Sequence, residues 1–119
     1  MRPQSAKSKG RRLQQWVRLK LLALLNVAPE DIESRSMGAA GEDLMLSQEA
    51  RRQWPYSVEC KNQQSISLYP SWDQACANAG NYEPVLFIKK NYRPVLAVIR
   101  ADHFLQLSTT QKGDKNESD

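Results

Sequence analysis

The stretch Tyr56-Ser57-Val58-Glu59-Cys60-Lys61-Asn62, with Gly41-Glu42-Asp43-Leu44 upstream of it, decides how this chain is read. As a strand it sets Ser57, Glu59 and Lys61 on one face and Val58 and Cys60 on the other, because side chains alternate along an extended backbone. A carboxylate and an ammonium then become neighbours on a surface that Asp43 can join. Two acids and a lysine suit phosphodiester chemistry. The acids hold a hard divalent cation, and the lysine steadies the nucleophilic water or the charge growing on the phosphate. Taken alone, Glu59-x-Lys61 is an ordinary charged strand face that contributes little. The residues around it give it weight.

Asp43 follows the turn Gly38-Ala39-Ala40-Gly41, whose glycines let backbone approach something closely, and leads into a strand over Asp43–Leu46. If that strand pairs with the one bearing Glu59, two carboxylates can share a cation that neither would hold well alone. Its plain alternative is a turn-capping aspartate. Strand alternation keeps Glu42 and Asp43 from facing the same site, and the sequence leaves open which of them does. Gln14 lies at the edge of an apolar helical stripe, about 60° from Val17, where it can reach across a sheet rim or simply sit in solvent. Gln74 flanks the stripe Trp72, Ala75, Cys76 and Ala79 of a later helix and can bond a reacting group or a phosphate. Trp72 reads as core rather than as a base-stacking platform.

The rest of the chain frames these elements. Residues 1–9 carry no hydrophobic period and read as a disordered arm. Residues 10–27 form a helix with Leu13, Val17, Leu21 and Leu24 on one stripe, ended by Pro29. Residues 32–36 are a short strand or extended lead-in, and 48–52 are one helical turn in a connection. A second helix opens at Pro70-Ser71, with Ser71 as its N-cap and Gly80 as its stop. Residues 84–89 and 94–100 are β-branched runs joined as a hairpin by Lys90-Asn91-Tyr92-Arg93. A short helix over 101–107 follows, with Phe104 and Leu105 in the core, and 108–119 are a disordered polar tail. The lone histidine, His103, reads as a surface or capping group rather than a general base. This order predicts an α/β domain over residues 10–107, a central mixed sheet flanked by helices.

The 119 residues are 40% hydrophobic, enough for one domain with a core. No apolar run reaches the roughly 20 residues of a membrane helix. No apolar region with a small-residue cleavage site follows the basic N-terminus, so no signal peptide and no membrane partner are expected. Cys60 and Cys76 lack metal-type spacing and read as reduced, buried thiols of a cytoplasmic protein. Residues 1–29 contain seven basic residues and no acid, so the remainder nets −3 against a total of +4. Such an arm fits a polyanion such as nucleic acid as well as it fits a solvated tail. Lys89, Lys90 and Arg93 at the hairpin read as an ordinary charged turn that can extend a basic surface.

Asp43 and then Glu59-Cys60-Lys61, framed by Lys9-Gly10-Arg11-Arg12-Leu13-Gln14 and Trp72-x-Gln74, resemble the PD-(D/E)xK nuclease superfamily. Within it the chain is similar to small phage-encoded nucleases and archaeal-type Holliday-junction resolvases, over residues 9–107. The two-part motif is degenerate, and its force comes from four elements in the right order. The resemblance implies a restriction-endonuclease-like fold and a Mg²⁺-dependent DNA endonuclease, with Mn²⁺ as a substitute. It implies Asp43 and Glu59 as metal ligands, with the backbone carbonyl of Cys60, and Gln14 through a water. Lys61 would orient or activate the attacking water, and Gln74 would support the site. Gln14 stands where many resolvases place a glutamate, which weakens the case for a second metal. Lys9, Arg11, Arg12, Arg35 and Ser36 would contact DNA, the last two in a loop with Gly38. Branched DNA is the implied substrate, and symmetric cutting of two strands implies a homodimer, in a bacterial cytoplasm if phage-encoded. A nuclease of this fold acting on linear, flap or single-stranded DNA, and a non-catalytic DNA-binding module, are the alternatives.

Overall fold

The computed structural model describes residues 6–36 and 39–117, with side chains as far as residue 109. It opens with helix α1 (Ala6–Leu24), which buries Gly10, Leu13, Gln14, Val17 and Leu21 along one stripe. The helix starts four residues earlier than expected, so residues 6–9 are helical and only residues 1–5 of the expected arm lie outside the described residues. Its stripe ends at Leu21. Leu24, expected on it, is 79% exposed. A 3-10 turn (Pro29–Asp31) follows, and its backbone is tied to α1 by Arg18, which donates to the carbonyls of Pro29 and Ile32.

Strand β1 (Ile32–Ser34) pairs antiparallel with β2 (Leu44–Leu46), placing Ile32 opposite Leu46 and Ser34 opposite Leu44. Helix α2 (Gln48–Gln53) is capped by Ser47, whose hydroxyl accepts from the Ala50 N–H at 3.2 Å. Strand β3 (Tyr56–Asn62) runs parallel to β4 (Glu83–Lys89), which pairs antiparallel with β5 (Leu96–Val98). Helix α3 (Leu68–Ala79) is the crossover that a parallel pair requires. The fold is therefore α/β, with a mixed three-stranded sheet and a separate two-stranded sheet in place of one central sheet.

The core lies between α1 and the sheets: Leu13, Val17, Leu21, Ile32, Leu44, Ala50, Val58, Cys60 and Val85. Buried from both sides, β3 follows the parallel-strand habit and hides Ser57 through Cys60 without a break. Several expectations give way here. Helix α3 starts at Leu68, with Ser67 before it, so Ser71 is inside the helix and buried. Its buried stripe is Ser71, Ala75 and Ala79, four residues apart, while Cys76 is exposed and Trp72 half-buried. Gly80 does end it, at φ 58°. Helix α4 (Ala101–Glu117) extends ten residues past the expected end, and Phe104 and Leu105 are each 56% exposed rather than core. Small side chains, Ser71, Ala75 and Ala79, form the face that α3 turns to the sheet. His103 is half-buried and shares a 2.6 Å hydrogen bond with the Tyr56 hydroxyl, joining α4 to β3. Among the described residues, no helix is long and apolar enough to cross a membrane.

Candidate active site

Strand β3 is an edge strand. Its far side is paired to β4, so every second N–H and C=O on its near side needs another partner. Asp43 supplies them. Its N–H donates to the Val58 carbonyl at 2.8 Å, and its Oδ2 accepts from the Cys60 N–H at 2.7 Å. One residue thus continues the ladder with its backbone and caps it with its side chain. Because a strand residue directs its N–H and C=O toward the same side, the Cys60 carbonyl also faces this edge. The Asp43 carbonyl in turn accepts from the Arg35 N–H at 2.9 Å, which ties the residue to the β1–β2 ribbon. The expected pairing of the Asp43 strand with β3 is therefore made by this one residue, while β2 itself pairs with β1.

A cavity of about 420 Å³ opens at this edge, lined by Gln14, Asp43, Glu59, Cys60, Lys61, Gln74 and Asn78, with Ala39, Ala40 and Gly41 at its mouth. Glu59 is only 4% exposed, and its Oε1 accepts from Asn78 Nδ2 at 3.2 Å. Burial raises its pKa above the ordinary carboxylate value, and the neighbouring Asp43 charge raises it further. Burial also raises Asp43, against the Cys60 N–H bond and the charges of Lys61 and Arg35. Two neighbouring carboxylates whose pKa values burial raises are relieved by a cation between them. Among the described residues, Lys61 forms no ion pair. Burial, with Asp43 and Glu59 nearby, pushes the Cys60 thiol well above its usual range, so its sulfur stays protonated and its carbonyl is the group that can bind a hard cation.

Glu42 is turned away from the cavity. Its carboxylate pairs with Arg51 and accepts from the Ser57 hydroxyl at 3.1 Å. Arg51 also donates to the Tyr56 carbonyl at 2.6 Å and lies 4.1 Å from the Tyr82 ring centroid. This half-buried cluster holds the segment before Asp43. Arg35 belongs to the same framework, for its Nε donates to the Glu42 carbonyl at 2.6 Å. Gly41 (φ 102°) allows that approach, since a Cβ there would lie 3.1 Å from the Arg35 guanidinium carbon.

The structure brings together Gln14, Asp43, Glu59, Cys60, Lys61 and Gln74. Gln14 is buried and Gln74 exposed at the rim. Arg11 and Arg12 are exposed on α1, Lys9 is half-buried with its carbonyl bonded to Asn62, and Ser36 is exposed. Gly38 lies outside the described residues. Asn78 is the residue that sequence reasoning missed. It stands four after Gln74, hence on the same helix face, and that spacing was the available signal. Among the described residues, no three His, Cys, Asp or Glu side chains converge, so a cation here would rest on two carboxylates, a carbonyl and waters. Mg²⁺, which keeps most of its waters, fits that donor set. No protein-family model, curated protein or solved structure matches this chain.

Proposed function

We propose that this chain is a Mg²⁺-dependent DNA endonuclease of the PD-(D/E)xK type, on a restriction-endonuclease-like domain. One observation carries the reading: Asp43, Glu59 and Lys61, from two separate segments, line one solvent-reachable cavity with the Cys60 carbonyl on its edge. A pure binder has no need to put two carboxylates where phosphates must come. A bound Mg²⁺ would supply charge to the phosphoryl oxygens and a water of lowered pKa. Asp43 and Glu59 would hold it, with the Cys60 carbonyl, and Mn²⁺ would substitute. Lys61 directs its ammonium at the charge that develops on the phosphate, or holds the attacking water. Asn78 fixes the rotamer of Glu59, and buried Gln14 offers an amide to a bound water. Arg11, Arg12 and the basic arm would engage the DNA backbone. Branched DNA is the proposed substrate and a homodimer the proposed assembly, acting in the cytoplasm.

Labelled four-way junction, flap and duplex, incubated with protein in Mg²⁺ or EDTA, test this. Cleavage should require Mg²⁺ and favour branched DNA. Lys61→Ala should fold, bind and cut about 100- to 1,000-fold more slowly in single turnover, and Lys61→Arg should rescue it poorly. Binding without a cleavage product on any substrate, or Lys61→Ala within about threefold of wild type against that expected loss, would overturn the assignment.

A further inference from the structure

Across α1 from the acidic cavity lies a second groove of about 390 Å³, lined by Arg12, Leu13, Trp16, Asn62, Lys89 and Val95. Gln14 and Trp16 are two residues apart, so roughly 200° of helix separates them, and cavity and groove flank α1 from opposite sides. Arg12, Trp16 and Lys20 recur every fourth residue as one stripe, rising ~6 Å per step. Trp16 is 42% exposed, and Lys20 Nζ lies 5.3 Å from its ring centroid. Lys89 Nζ donates to the carbonyls of Lys90 and Arg93 at 3.0 Å each. An ammonium has three N–H groups, so a donor and the charge remain for an anion. Asn62 gives one N–H to the Lys9 carbonyl at 2.8 Å, which leaves its second N–H and its carbonyl oxygen to meet a base edge. Asn62 also follows Lys61 directly, so adjacent residues of β3 serve groove and cavity.

We propose that this groove is a nucleotide subsite: an unpaired base of the DNA strand stacks on Trp16, with its flanking phosphates against Arg12 and Lys89. The inference rests on the DNA reading for the identity of the strand. An exposed indole with the Lys20 ammonium over it and further cations beside it matches an unpaired nucleotide, whose base can take the place of that ammonium on the ring and whose phosphates are anionic. Duplex bases are already stacked on one another and cannot enter. A helix is ~10 Å across, so the stacked base sits a few nucleotides from the bond at the cavity. The preferred substrate accordingly has a short single-stranded segment beside the cut, as in a flap, a gap or an opened junction arm.

The test is fluorescence anisotropy of the full chain in EDTA, with a labelled oligothymidylate of about 12 nucleotides and a labelled blunt duplex. Trp16→Ala should weaken oligothymidylate binding about 5- to 100-fold and leave duplex binding within about twofold, while Trp16→Phe retains most of the affinity. Equal weakening on both probes, no weakening on the single strand, or no oligothymidylate binding by the wild type overturns the subsite. The two readings separate cleanly. Selective loss in Trp16→Ala with no cleavage by the wild type keeps the subsite and removes the nuclease. Cleavage by the wild type with Trp16→Ala indifferent removes the subsite alone.

Discussion

Asn78 shows what one side chain does in this site. Glu59 is buried at the cavity, and its Oε1 accepts from Asn78, which lines the same cavity. That bond favours the ionised carboxylate, opposing the burial and the Asp43 charge that raise the pKa of Glu59. Asn78→Ala should therefore raise the Glu59 pKa further and loosen its rotamer. We expect cleavage at neutral pH to fall about tenfold, the size of one hydrogen bond to a charged group. The acid limb of the rate profile should also move to higher pH. A fall in rate with an unmoved limb would mean that Asn78 merely packs α3 against β3.

At the scale of elements, the site depends on how the Gly41–Asp43 segment is pinned to β3. Arg51 and Ser57 hold the Glu42 side chain, Arg35 holds its carbonyl, and Asp43 completes the edge of β3. Gly41 sits at φ 102°, where L side chains are strained, with the Arg35 guanidinium close against it. Gly41→Ala should destabilise the fold by about 1–3 kcal/mol and displace Arg35 from its bond. A thermal melt of the variant checks this, and an unchanged midpoint would show that the turn relaxes without strain.

For the whole molecule, the desolvated acid pair links stability to pH. Asp43 and Glu59 have raised pKa values in the fold, from reference values of 3.8 and 4.5. Their protonated forms are favoured by folding. Their contribution is fully present below the reference values and is lost as pH rises through the raised ones. Glu49 and Glu83 are shifted down by their arginine and glutamine partners and act in the opposite sense. The difference between wild type and Asp43→Asn isolates the pair. In EDTA the variant should gain stability over the wild type as pH rises from about 4 to 7. Mg²⁺ should then raise the melting temperature of the wild type, more at pH 7 than at pH 5, and leave the variant nearly unmoved. A difference that does not change with pH would show that Asp43 is solvated.

By itself the sequence determined the α1 stripe at Leu13, Val17 and Leu21, strand β3, the Gly80 stop and the β4–β5 hairpin. Each rests on local periodicity or turn chemistry acting within a few residues. It also singled out Asp43, Glu59 and Lys61 as candidates, since residue type limits the chemistry available. Only the tertiary structure set Asp43 rather than Glu42 at the cavity, because Arg51 and Ser57, distant in the chain, engage the Glu42 carboxylate. It likewise placed Asn78 on Glu59, turned Cys76 outward, left Phe104 and Leu105 exposed and paired β2 with β1. Strand partners and helix phase are set by which surfaces meet, and in α3 the small side chains of Ser71, Ala75 and Ala79 allow a closer approach than Trp72 and Cys76 would. That contact is a property of two elements together, so no window of sequence around either one contains it.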